Sequence, residues 1–143
     1  MSWDYKLLDH TADFAAEIRG DTLEDLLHAG YKVWRELVAE PYSGNGEEEK
    51  ILEFSEVTFE ELLVGFLSEL NYLFLFKKWI PSRIIIESFN ASGGHFGSVI
   101  KVIGQKYGPS SYILKSEIKA VTFHRMEVKK INGKYVTLIV FDI

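Results

Sequence analysis

"TFEELLVGFLSELNYLFLFKKW", Thr58 to Trp79, is the stretch that sets the fold class. Phe59, Leu62, Leu63, Phe66, Leu67, Leu70, Leu73 and Phe74 recur at the helical period and make one broad face of Phe and Leu. Thr58 and Glu61 have the spacing of a capping box, in which each side chain takes up the other residue's backbone amide, so the helix begins near Thr58. Lys77 and Lys78 suit the negative end of the helix dipole. Glu69 and Asn71 interrupt the apolar run, which is too short to span a bilayer. This is the expected main core helix, and its wide apolar face requires other elements to cover it.

Upstream, "TLEDLLHAGYKVWRELVAE", Thr22 to Glu40, places Leu23, Leu26, Leu27, Trp34, Leu37 and Val38 on one helical face. Asp21 is the expected N-cap, with Glu24 closing the box, and Pro41 ends the helix. "SGNGEEEK" reads as an exposed loop, since its glycines favour turns and its successive glutamates repel. The remaining segments read as strands: "SWDYKLL", "FAAEIRG", "KILEFSEV", "RIIIESF", "SVIKVIGQ", "EIKAVTFHRMEVKKI" and "KYVTLIVFDI". Asn132-Gly133 joins the last two as a type I′ hairpin. The Gly-rich "NASGGHFG" reads as a flexible hairpin loop. It lacks the Gly-Lys-Ser/Thr ending of a phosphate-binding loop. The order strand, strand, helix, strand, helix and four strands gives an α+β fold, two helices packed on a largely antiparallel or mixed sheet in a single domain, 1–143.

The 143 residues are 47% hydrophobic, enough for a sizeable core and against disorder. The absence of cysteine excludes disulfides, thiolate metal sites and thiol nucleophiles. No signal peptide is evident at "MSWDYKLLDH", so a soluble cytoplasmic protein with no membrane association is expected. The net charge of -5 argues against a surface that binds nucleic acid all over.

Three places carry polar groups where the pattern does not require them. "LDHTAD" joins the first two strands with Asp9, His10, Thr11 and Asp13 in place of a glycine turn. In "TLIVFDI", strand alternation puts Asp142 in a row with Val136, Leu138 and Val140, and Ile143 adds a terminal carboxylate if the chain ends there. Either this end frays with both groups in water, or something positive joins them. In the strand read from Glu117, Thr122 and His124 make a polar window on a face shared with Ile118, Ala120, Met126 and Val128. They are either hydrogen-bonded core residues or the wall of a polar pocket. Lys115, Lys119, Arg125, Lys129, Lys130 and Lys134 are offset by only Glu117 and Glu127. That cluster is either a solvated edge hairpin or a patch for RNA or an acidic partner. No Ser-His-Asp arrangement can be assembled with any specificity.

"DHTAD" after a first strand, the late "EIKAVTFH" and the final "FDI", in this order and over essentially the whole chain, resemble the archease family. The resemblance implies no catalytic residue of the chain's own. It implies an accessory protein of the GTP-dependent (RtcB-type) RNA ligase of tRNA splicing and RNA repair, which promotes guanylylation of the ligase's active-site histidine and its turnover. RNA would be met through the ligase. The resemblance also implies a divalent cation, calcium or alternatively magnesium, held by Asp13, Asp142 and Ile143. These are hard oxygen donors, which suit such ions. Asp9, His10 and Thr11 would support the cation or face the partner. Lys119, Thr122 and His124 are further candidates, with Lys119 and His124 on opposite strand faces. Chaperone-like modulation of a tRNA-modifying enzyme is a second implied role. A metal-dependent hydrolase using Asp13 and Asp142 with His124 as base is a competing reading from the residues.

Overall fold

The apolar pattern at 58–79 folds as expected. Helix α2, Phe59–Phe76, buries Phe59, Leu62, Leu63, Phe66, Leu67, Leu70, Leu73 and Phe74. The computed structural model describes residues 2–8, 13–40, 47–108, 114–123 and 126–143. Thr58 Oγ1 accepts from the Glu61 amide and Glu61 Oε1 from the Thr58 amide, both at 3.1 Å, which is the expected box. Helix α1, Leu23–Val38, is capped one residue later than expected, by Thr22 rather than Asp21. Thr22 is the last residue with extended backbone, so the box closes with Asp25 and not Glu24. The Asp25 carboxylate is wholly buried and accepts from the amides of Asp21 at 2.9 Å and Thr22 at 3.1 Å. Gly20 makes room for it: a Cβ there would lie 2.3 Å from the Asp25 Cβ.

The strands are β1 Trp3–Leu8, β2 Asp13–Gly20, β3 Glu48–Glu56, β4 Trp79–Ser92, β5 His95–Lys106, β6 Ala120–Thr122, β7 Lys129–Ile131 and β8 Lys134–Asp142. The α+β class holds, with the strands divided between two antiparallel sheets. One runs β1-β2-β8-β6, with β7 also paired to β8; the other is β3-β5-β4. Helix α2 packs against strands of both, while α1 packs on β1, β2, β4 and β8. No described helix is long and apolar enough to cross a membrane.

Two expectations are corrected. The strand read over Glu117 to Ile131 is two short strands, because the chain turns after Thr122. The Met126 amide donates to the Phe123 carbonyl at 2.9 Å, and the Val128 amide to Glu60 Oε2 at 2.9 Å. Five strands therefore follow α2, not four. "NASGGHFG" is mostly strand rather than loop. Gly93 and Gly94, at φ 56 and 76, make the whole turn, and Ser92 faces His95. Two successive positive φ values are what a two-residue I′ turn demands. Asn132 and Gly133, at φ 52 and 80, form the other such turn, as expected.

Inside the core, Asn71 on α2 is 6% exposed. The Trp34 indole N–H donates to Asn71 Oδ1 at 3.0 Å, and Asn71 Nδ2 donates to the Ile118 carbonyl at 2.7 Å. The Trp34 ring meets Phe74 edge-on at 6.0 Å. Replacing Asn71 with Leu leaves a buried indole N–H and a buried carbonyl without this partner. Each loss costs about 1–3 kcal/mol, so the variant should lose about 2–6 kcal/mol of stability in urea unfolding. A loss under about 0.5 kcal/mol would show that the two groups find other partners.

Candidate metal centre

Strands β2 and β8 pair so that Asp13 stands directly opposite Asp142. The next pairs are Phe14 with Phe141, Ala15 with Val140 and Ala16 with Ile139. Alternation assigns the faces. Ala16, Ile18, Thr137, Ile139 and Phe141 form the buried row against the helices. Asp13 and Asp142 lie on the opposite face. Along the row that ends at Asp142, Val136 and Leu138 are half-buried and Val140 is buried, while Asp142 itself is exposed.

Side chains directly opposite across such a pair have Cβ atoms about 4.5–5.5 Å apart, and like charges so placed destabilise the pairing. The register thus concentrates two anionic oxygen donors at one strand end. On the other side of β8, Ala120 pairs with Asp142, and the Lys119 amide donates to the Asp142 carbonyl at 2.7 Å. Asp142 is therefore held from both sides, and Ile143 follows it, 40% exposed. Among the described residues no cluster of three or more His, Cys, Asp or Glu side chains forms. A cation here would take two carboxylates, with backbone or water oxygens completing its shell. Calcium and magnesium accept such mixed oxygen sets, so the donors fit.

Asp9, His10, Thr11 and His124 lie outside the described residues. Thr122 is half-buried opposite Val140, on the face that carries Asp142. The core-facing residue of β6 is Val121, 7% exposed, and Ala120 is exposed. That inverts the faces read for this strand, because the short β6 starts at Ala120 and the chain before it follows no strand alternation. Lys119 is exposed, as expected, beside a groove of about 440 Å³ shared with Asn71, Tyr72, Phe76 and Val121. Among the described residues the late lysines do not form one patch. Lys115 lines a different cavity, Lys134 pairs with Asp21 at 2.5 Å and Lys130 lies over the Tyr135 ring.

The groove was not read from the sequence. Tyr72 and Phe76 are 43% and 72% exposed, and their rings lie 5.5 Å apart. The available signal was that Tyr72, Leu75 and Phe76 fall off the apolar face of α2, so its last turn is apolar on more sides than packing requires.

The profile of the archease protein family (MTH1598/TM1083) matches residues 5–143. This chain belongs to the archease family. The archease of Methanosarcina mazei is 30% identical over 139 residues, 97% of this chain and 95% of that one. The archease of Methanopyrus kandleri is 29% identical, with 100% of each chain covered. The solution structure of protein 1598 from Methanobacterium thermoautotrophicum superposes with a TM-score of 0.78 at 22% identity, covering 97% and 98% of the two chains, and shares the fold. The crystal structure of a Thermotoga maritima archease, described as a possible chaperone, is 27% identical with a TM-score of 0.59, covering 96% of each.

In this archease the hold on Asp142 runs through a backbone amide, so proline and alanine separate it from any side-chain role of residue 119. Lys119→Pro should speed amide exchange in β6 and at the end of β8 by about tenfold or more, the equivalent of one hydrogen bond, while Lys119→Ala leaves it unchanged. Equal exchange in both variants would show that the bond does not tether the strand end.

Proposed function

We propose that this archease is an accessory protein of a GTP-dependent (RtcB-type) RNA ligase in tRNA splicing and RNA repair. It promotes guanylylation of the ligase's active-site histidine and its turnover, with calcium or magnesium held by Asp13, Asp142 and an oxygen of Ile143. The observation that carries this reading is the register of β2 on β8, which sets the two aspartates side by side at an exposed strand end. The bound ion would supply a concentrated positive charge there. The chain's own residues do the positioning: the strand pairing spaces the carboxylates, and the Lys119 amide fixes the Asp142 backbone. An exposed charge on a rigid strand end suits a role exerted on a partner protein.

A second reading is chaperone-like action on a tRNA-modifying enzyme. It is favoured by the exposed Tyr72 and Phe76 beside the groove and by the description of the Thermotoga relative as a possible chaperone. A ligase assay separates the two. Asp13→Asn and Asp142→Asn should each weaken calcium binding in calorimetry by about tenfold or more, because affinity follows the count of charged ligands. Both variants should slow ligase guanylylation in parallel while keeping the wild-type melting temperature in chelator. Full guanylylation by the Asp13→Asn/Asp142→Asn double variant would reject the cation-dependent reading. No effect of the wild-type protein on the ligase would leave the chaperone-like one.

A further inference from the structure

We propose that the cavity between the C-terminal half of α1, the start of β4 and the segment leading to β6 binds a phosphate monoester. It has a volume of about 470 Å³, and its wall includes Tyr31, Lys32, Arg35, Glu36, Ser82 and Lys115. Three cations and one carboxylate therefore share it, in a chain whose net charge is -5.

The carboxylate is already engaged. Glu36 lies 3.6 Å from Lys32 and accepts the Tyr5 hydroxyl, and this bond holds the Tyr5 phenol up at about 12. Glu36, shared between Lys32 and Arg35, offsets one of the three cations, which leaves two positive charges in surplus. The Arg35 guanidinium donates to the carbonyls of Pro81 at 3.2 Å, Ala39 at 3.1 Å and Glu40 at 3.1 Å. Carbonyls satisfy N–H groups without cancelling the charge. Burial pushes the Arg35 pKa down, the direction expected of a cation partly withdrawn from water.

The helix dipole accounts for Arg35 at the end of α1, but not for a second cation beside it. Lys115 makes no ion pair among the described residues, and the backbone brings it there. Its amide donates to the Val38 carbonyl at 2.9 Å, and Leu114 pairs with Ala39.

Two surplus unit charges match a dianion better than a carboxylate, and the guanidinium and ammonium groups are both phosphate ligands. The volume exceeds that of a free phosphate ion, so the phosphate can arrive on a larger molecule. A free nucleotide and a phosphorylated RNA end carry the same group.

The test is an amide chemical-shift titration of the protein at fixed ionic strength with inorganic phosphate, a nucleoside 5′-monophosphate, and a trinucleotide with or without a 5′-phosphate. Saturable shifts are expected at Lys32, Arg35, Ala39 and Lys115 with every phosphate-bearing probe, and none with the 5′-hydroxyl trinucleotide. A preference for mononucleotide or for trinucleotide identifies the source. Lys115→Gln should weaken binding by about tenfold, the worth of one charge-assisted hydrogen bond, and Lys134→Gln on the hairpin should not. Lys115 is exposed, so this variant tests the site without disturbing the cap that Arg35 provides. Absence of saturable shifts, equal response to the hydroxyl trinucleotide, or unchanged affinity in Lys115→Gln would overturn the proposal.

Discussion

One amide group, the side chain of Asn71, ties the two helices to the strand that completes the larger sheet. Its oxygen takes the indole proton of Trp34 on α1, and its nitrogen serves the Ile118 carbonyl before β6. A buried carbonyl outside any strand ladder needs such a donor, since desolvation without one costs more than a made bond returns. The same peptide group carries the Lys119 N–H on its other side, and that N–H reaches the Asp142 carbonyl. A continuous line of hydrogen bonds thus runs from the middle of α1 through α2 to the last residues of β8. The position of Asp142 depends on core packing as well as on its own strand.

The two-sheet arrangement explains why the aspartates can stand together in the open. Helix α2 is covered by strands of both sheets, and α1 covers the inner face of the larger one. The opposite face of β2 and β8 is left to residues that need not be apolar. Asp142 there is exposed and Asp13 half-buried, so both carboxylates keep contact with water and are tolerated where a fully buried pair would not be. A site that is cheap to build into the fold is also one that a partner can reach.

Both helices, the Thr58 cap and the Asn132-Gly133 turn were legible because each depends on residues near one another in the chain. The helix period needs only a window, and a capping box only four positions. What was not legible depends on pairing. Alternation in "KILEFSEV" shows a strand but not that β5 is its neighbour, so the division into two sheets was hidden. "EIKAVTFHRMEVKKI" has strand composition throughout, yet a local turn bond from Met126 to Phe123 and a tertiary bond from Val128 to Glu60 break it. The shift of the α1 cap from Asp21 to Thr22 follows from the room beside Gly20, a contact no local pattern reports. Asp13 and Asp142 were nominated through a family likeness; that they are direct cross-strand neighbours is a fact of register.

The outer strand of the smaller sheet has a further consequence. Among the described residues strand β3 borders β5 on one side only, and Glu49, Ile51, Glu53 and Ser55 on its open face are all exposed. A bare edge carrying an exposed isoleucine is a template on which another chain can add. The glutamates on either side of Ile51 make that addition unfavourable, since a second β3 laid alongside would bring carboxylates against carboxylates. Lys101 answers Glu49 from within the sheet at 3.8 Å and Glu87 at 3.2 Å, so its charge is spent inside the molecule. The acidic character of the chain thus acts at this edge as a guard against fibre growth, keeping the backbone of a half-open sheet in water and the copies apart.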